Sequence, residues 1–206
     1  MTTTSRLSGD VVLEDEAVLL RPLVASDTDN LLEIALNEPE TWKYSLLQAG
    51  GSRENLQNYI NIALAARERQ SEYPFIVFDK VAQKFAGSTR FYDINLGYKT
   101  LQLGYTWYAK EFRGTLLNKR CKLLLLTFAF ETLGMERVEF RADNRNERSI
   151  AAMKSIGCTV EGILRSNMPT AGSDERRDSI VLSILRSEWF SHVKQQLKEK
   201  INGNKA

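Results

Sequence analysis

The sequence holds little of what builds metal sites, disulfide frameworks or membrane spans. Its 206 residues include two cysteines, Cys121 and Cys158, and a single histidine, His192. Neither cysteine belongs to a C-x-x-C pair, so no metal site made of Cys and His is expected. A disulfide framework is not expected either, and a reducing, cytoplasmic compartment suits the chain. Met1 to Asp10 is polar and lacks a hydrophobic signal core. The densest apolar stretch, Leu123 to Phe130, is too short to cross a bilayer, so a membrane partner is not expected. An excess of one charge is missing too. The 28 Lys+Arg residues face 26 Asp+Glu, which speaks against a nucleic-acid partner. There are no internal repeats and no low-complexity linkers. These features predict a single domain over 1–206, with 1–12 flexible and 187–206 forming a terminal helix and tail.

What is present alternates between two periodicities. Val18–Leu23 reads as a strand ending near Pro22. Ser26, followed by Asp27 and Asp29, predicts an N-capped helix through Leu36. Asn37–Ser52 reads as an irregular connection with a Gly50-Gly51 break. Leu56, Tyr59, Ile60, Ala63 and Leu64 form one helical stripe within Arg53–Arg67. Pro74–Asp79, Phe85–Ile94 and Thr100–Tyr108 read as strands, the last two joined through Asn95-Leu96-Gly97. A helix from Arg113 to about Thr132 is apolar on nearly every side and should pack on a sheet. Arg137–Ala142 is a strand, Asn146–Ser155 a short helix ended by Gly157. Val160–Ser166 and Asp178–Leu185 are strands around a polar loop. Ser187–Lys200 is a terminal helix with Trp189, Val193 and Leu197 on one face. The order predicts an α/β (α+β) mixed, mostly antiparallel sheet with helices on both faces.

One segment carries chemistry. The strand ending Tyr105-Thr106-Trp107-Tyr108 leads through Ala109–Phe112 into Arg113-Gly114-Thr115-Leu116-Leu117-Asn118, which opens a helix. The first amides of a helix have no internal partner, and the macrodipole there favours anions. A diphosphate would suit the amides of Gly114 to Asn118, with Arg113 adding charge. A strand-to-helix turn with a glycine is the plain alternative.

The segment sits in a longer succession. Downstream come Ala142-Asp143-Asn144-Arg145-Asn146-Glu147-Arg148-Ser149, then Lys154-Ser155-Ile156-Gly157, Glu161-Gly162-Ile163, and Arg177-Asp178-Ser179-Ile180-Val181. Together these resemble the GNAT superfamily of N-acetyltransferases, in the branch of the ribosomal-protein N-terminal alanine and serine acetyltransferases. The resemblance covers roughly Val18 to Trp189. It implies a GNAT-like sheet with a splayed strand pair that holds acetyl-coenzyme A. It further implies that Arg113, Gly114, Thr115, Leu117 and Asn118 contact the coenzyme diphosphate, that the strand at Trp107 and Tyr108 pairs with the pantetheine arm, and that Asn146 holds that arm. By the same resemblance Ser149 protonates the leaving thiolate. Asn146 and Ser149, three apart, share one helical face; in the plain reading Asn146 only caps its helix.

The implied activity is transfer of acetyl from acetyl-CoA to a primary amine, on a protein N-terminus or a small molecule, by direct attack. The sequence departs from the family pattern in three places. Gln102 stands where a Glu is usual, and glutamine takes no proton at neutral pH; Asp93, Glu139 and Glu161 are the other candidate bases. Leu116 replaces a second glycine, and Ala142 a polar residue. The first two departures keep a second reading in view, a weak or inactive coenzyme A-binding module for regulation or assembly. Cys121 and Cys158 read as structural, His192 as solvent-facing, and Arg165 and Arg177 as solvated charges. Trp42 and Tyr44 read as acceptor-site lining or core. A homodimer would pair through the terminal helix and hairpin. No metal is expected.

Overall fold

The computed structural model describes residues 7, 9–170 and 175–203. Its centre is an eight-stranded sheet in the order β1-β2-β3-β4-β5-β6-β8-β7. The strands are β1 (Leu13–Glu14), β2 (Val18–Pro22), β3 (Tyr73–Asp79), β4 (Lys84–Asn95), β5 (Thr100–Tyr108), β6 (Arg137–Asp143), β7 (Thr159–Pro169) and β8 (Arg176–Leu185). Every pairing is antiparallel except β5 with β6. The mixed, mostly antiparallel sheet read from the sequence is therefore the one found.

Helices cover both faces, and β3 shows why. Phe75 and Val77 point into one apolar cluster and Ile76 into the other, as a period of two dictates. On one side lie α1 (Asp27–Asn37) and α2 (Arg53–Glu68), which bring Leu31, Ala35, Leu56, Tyr59 and Ile60 to the sheet. On the other lie α3 (Leu117–Thr127) and the terminal helix α5, with Leu117, Cys121, Leu125, Trp189 and Val193 in the core. Helix α3 runs on into a π-helical turn, Phe128–Thr132, and α5 comprises Arg186–Glu188, a π turn Trp189–Val193, and Lys194–Asn202. The remaining helix is α4 (Glu147–Ser155).

Some local readings are corrected. Ser26 makes no side-chain cap on α1. The fully buried Asp27 does the positioning, accepting from Val24 N at 2.9 Å and from both terminal nitrogens of Arg21 at 2.8 and 2.6 Å. The carboxylate's charge-assisted bonds outcompete a neutral hydroxyl cap. The irregular connection 37–52 contains a 3-10 turn, Pro39–Trp42. Helix α3 starts at Leu117 rather than Arg113, because Gly114 takes a φ of +77°. Of the segment 1–12, residues 1–6 and 8 lie outside the described residues; the Tyr73 hydroxyl bonds Gly9 O and Val11 N, each at 2.7 Å. Residues 171–174 of the polar loop and the end of the tail, 204–206, also lie outside them.

Gly157 ends α4 as read, with φ +98°. A Cβ there would lie 2.9 Å from Val193 Cγ1 on α5. Gly157→Ala therefore meets both a left-handed backbone and a packed neighbour. It should cost about 2 kcal/mol and lower the thermal midpoint by roughly 5 °C. An unchanged midpoint in a thermal melt would show that the α4–α5 contact yields freely.

Candidate active site

The site is made by a break in the sheet. β5 and β6 pair only at Thr100 with Arg137, Leu101 with Val138 and Gln102 with Glu139. Beyond Gln102 the strands part. β5 continues with β4 alone and β6 with β8 alone. A cavity of about 680 Å³ fills the wedge, a size that takes an organic ligand.

A bulge shapes the β5 wall. Leu101, Leu103 and Tyr108 belong to the α3-side core, whereas Tyr105 and Trp107 pack on the α1–α2 side. Strict alternation would put 103 and 105 on the same face. The slip occurs at Tyr105, whose φ is +48°, and the β4 register jumps there from Arg90–Gly104 to Ser88–Trp107. Beneath it Trp42 meets Trp107 edge-on at 4.8 Å, and Trp107 Nε1 donates to the Tyr59 hydroxyl at 3.2 Å. Trp42 is thus core, and Tyr44 lines the cavity.

At the mouth, the backbone from 114 to 119 leaves donors free. The Leu117 amide is used by Thr115 Oγ1 at 3.2 Å, and Arg120 N bonds Leu116 O at 3.0 Å. The amides of Gly114, Thr115, Leu116, Asn118 and Lys119 have no acceptor among the described residues. Gly114 faces open space, so nothing screens these amides. Such a cluster at a helix start binds oxyanions. The Leu117 side chain is buried in the core, and Leu116, half-buried, is not among the lining residues. Arg113 turns its guanidinium to the Tyr108 carbonyl, Glu38 and Thr41 at 3.0, 3.0 and 2.6 Å. Burial and then the neighbouring Arg148 hold it below the usual arginine range. Lys119 and Arg148 line the same mouth; the sequence reading named neither.

Across the wedge, Asn146 caps α4, its Oδ1 accepting from Ser149 N at 3.1 Å. That leaves its Nδ2 and the Ser149 hydroxyl to donate into the cavity, which both residues line. Asp143 fixes the turn into α4 by accepting from Arg145 N, Nε and Nη2 at 2.9, 3.0 and 2.9 Å. Those bonds hold its carboxyl below the usual range.

The candidate bases separate cleanly. Glu139 is bound by Arg137 and Arg141 at 2.9 and 2.7 Å. Glu161 bonds Ser183 and Arg137, which hold it below the usual range, and it does not line the wedge. Asp93 does line it, beside Gln102, whose Nε2 donates to Asp93 Oδ2 at 2.8 Å. Glu72, absent from the sequence reading, lines the same end and accepts from the buried Arg90 at 2.6 Å. Arg90 is clamped between the rings of Tyr59 and Tyr105, at 4.7 and 4.1 Å. Arg177 is not the solvated charge read from sequence. It is 7% exposed, lines the cavity and donates to Tyr44 O at 3.2 Å. Arg165 and His192 are exposed. Among the described residues, no group of three or more His, Cys, Asp or Glu could hold a metal ion, and no helix is long and apolar enough to cross a membrane.

The sequence of residues 17–159 matches the acetyltransferase (GNAT) domain family. The chain is 25% identical over 185 residues to "Probable N-acetyltransferase YjcK" of Bacillus subtilis (strain 168), covering 86% of this chain and 98% of that one. It is 37% identical over 89 residues to "Putative ribosomal N-acetyltransferase YdaF" of the same organism, covering 43% of this chain and 46% of the relative. That match therefore spans about half the relative's length. A crystal structure described as an acetyltransferase from T. thermophilus superposes with a TM-score of 0.82 at 30% identity, covering 92% of this chain and 96% of that one. The ribosomal-protein-S5-alanine acetyltransferase of Vibrio fischeri shares the fold, with a TM-score of 0.70 at 20% identity over 87% of this chain and 99% of that one.

Lys122 is the residue of this site that sequence reasoning missed. It sits on α3, 5% exposed, and lines the cavity. Its Nζ reaches Thr106 Oγ1 at 2.8 Å and Thr89 Oγ1 at 3.4 Å. Burial lowers it to about 8. Below that pH the fold must carry a buried ammonium that the unfolded chain carries in water. Between about 8 and the ordinary lysine value of 10.5 only the unfolded chain stays protonated, so this group makes stability rise with pH. Lys122→Met should therefore be more stable than wild type at acidic and neutral pH, by up to about 3 kcal/mol. The advantage should shrink as pH climbs through that window. Urea melts at several pH values check this, and a pH-independent difference would refute it.

Proposed function

The chain belongs to the acetyltransferase (GNAT) family, and on that premise we propose that it transfers acetyl from acetyl-CoA to a primary amine by direct attack. The observation that carries the reading is the run of unpartnered amides at 114–116 and 118–119 opening onto the wedge. The diphosphate would lie on those amides, with Lys119 and Arg148 beside it. The pantetheine arm would then run along the edge of β5 that β6 has left, from Tyr108 toward Leu103, offering its amides to a strand edge that lacks a strand partner. The Asn146 Nδ2 would meet it from α4.

The amine would enter from the opposite end, lined by Tyr44, Glu72, Tyr92, Asp93, Gln102 and Tyr105. Two carboxylates there favour an arriving ammonium. Loss of its proton exposes the lone pair that attacks the thioester carbon. We assign that proton to Asp93. Gln102, which cannot itself act as base, holds the Asp93 carboxylate in place. The nitrogen–carbon bond then forms, the carbon–sulfur bond breaks, and thiolate leaves. The names of YdaF and of the Vibrio fischeri protein refer to ribosomal acceptors; a protein N-terminus is the acceptor we propose for this chain.

Acetyl-CoA should raise the thermal midpoint, by linkage worth about 3 kcal/mol at a hundredfold excess over Kd. Asn146→Ala should weaken its binding about tenfold by calorimetry. No shift in wild type, or equal affinities, would remove the donor site from the wedge.

Asp93→Asn should lower kcat roughly 100-fold in a free-thiol assay with peptide amines, with acetyl-CoA affinity retained. An unchanged kcat would move the base elsewhere.

A further inference from the structure

The buried cations around the wedge are balanced in different ways. Arg90 has Glu72, and Arg120 on α3 has Asp15 and Glu16, each at 2.8 Å. Lys122, half a turn from Arg120, has only the hydroxyls of Thr106 on β5 and Thr89 on β4. The titratable groups facing it are the thiols of Cys121 on its own helix and Cys158 just before β7. Among the described residues, no carboxylate lies within ion-pair distance of it. An ammonium out of water and without a counter-charge is costly, and two hydroxyl dipoles offset only part of that cost. A negative charge arising in the cavity would offset the rest.

The position of Lys122 says which charge. Its nearest hydroxyl, Thr106, follows the Tyr105 bulge on the stretch of β5 that has lost β6. Ser149 lines the same cavity from α4. The diphosphate amides lie one turn back along α3. Beyond them, at the depth of Thr106, the part of an acyl donor that becomes anionic is its sulfur. We propose that Lys122 is the donor-side group that stabilises and protonates the thiolate released from the acyl donor, an inference that rests on the acetyltransferase reading above.

As the amine nitrogen bonds to the carbonyl carbon, the carbon–sulfur bonding pair passes to sulfur. The Lys122 ammonium gives sulfur its proton and is left as an amine bonded to Thr106. It regains a proton from water, while the proton shed by the attacking amine goes to Asp93 and then to water. A lysine that burial brings to about 8 is matched to a thiol of about 8.5. Ser149 adds a hydroxyl dipole from the other wall.

The test is to titrate the thiol of bound coenzyme A by the ultraviolet absorbance of its thiolate. Cys121 and Cys158 do not interfere, because burial pushes both up to about 12. In wild type the bound thiol should ionise at least about tenfold more readily than free coenzyme A. In Lys122→Met it should return to the free value, and in Lys122→Arg it should stay lowered. In Lys122→Met kcat should drop about 100-fold, with acetyl-CoA affinity within about twofold of wild type. Thr106→Val keeps the charge but removes the hydroxyl that aims it; it should shift the titration part of the way, and it serves if Lys122→Met does not fold. Identical titrations in wild type and variants, with coenzyme bound and turnover intact in wild type, would overturn the role of Lys122 and leave the acetyltransferase reading standing. A wild-type chain that binds no coenzyme would overturn both.

Discussion

The structure depends on three rungs of parallel pairing between β5 and β6. A parallel pair is the weaker kind of ladder, and this one is cut short at Gln102–Glu139. Had it run the full length of both strands, the sheet would be continuous and have no cavity. Because it stops, the backbone of β5 beyond Gln102 needs another partner, and the free amides that begin α3 lie at the open end of the same wedge. Antiparallel neighbours, β4 and β8, hold the two diverging strands apart. The cost of the gap is carried by the flanking sheet and by both helical layers.

Charge is distributed along the wedge in a graded way. The mouth is basic, with Arg113, Lys119 and Arg148; the far end is acidic, with Glu72 and Asp93. Between them lies Lys122, bonded only to neutral hydroxyls. Arg113, which looks in sequence like a phosphate ligand, spends its guanidinium on Glu38, Thr41 and the Tyr108 carbonyl. It fastens the end of β5 to the connection after α1, so that the anion site is built from backbone. Backbone donors are fixed by the fold and lose no rotamer entropy when a ligand arrives.

Most of the sheet was legible in the sequence because its strands alternate or run apolar, and the helices because α2 and α5 carry single stripes. The N-cap role of Asn146 and the C-terminal role of Gly157 were legible as local chemistry. What escaped was long-range. Asp27 displaces Ser26 because Arg21, six residues earlier, turns toward it. Arg177 is drawn in by Tyr44, 133 positions away. Glu72 and Lys122 carry no motif. A lysine within an apolar helix reads as a residue reaching for solvent, and only the packing of α3 over Thr89 and Thr106 denies it that exit. The one available signal was its place one turn after Asn118, on the stripe that includes Leu125 and Leu126. Gln102 was legible as a departure from pattern, but its bond to Asp93 depends on the turn of backbone at residue 93, whose φ is +47°.

The two cysteines have a consequence for how the chain's surroundings should be read. Both are buried, unpaired, and pushed to about 12. At neutral pH about one molecule in 10⁵ would carry a thiolate at either position. Alkylating reagents, peroxide and disulfide exchange all act on that form, so the folded chain is nearly indifferent to them. Scarcity of cysteine thus says little about the redox habitat of this protein, which would keep its sulfurs unmodified in oxidising and reducing media alike.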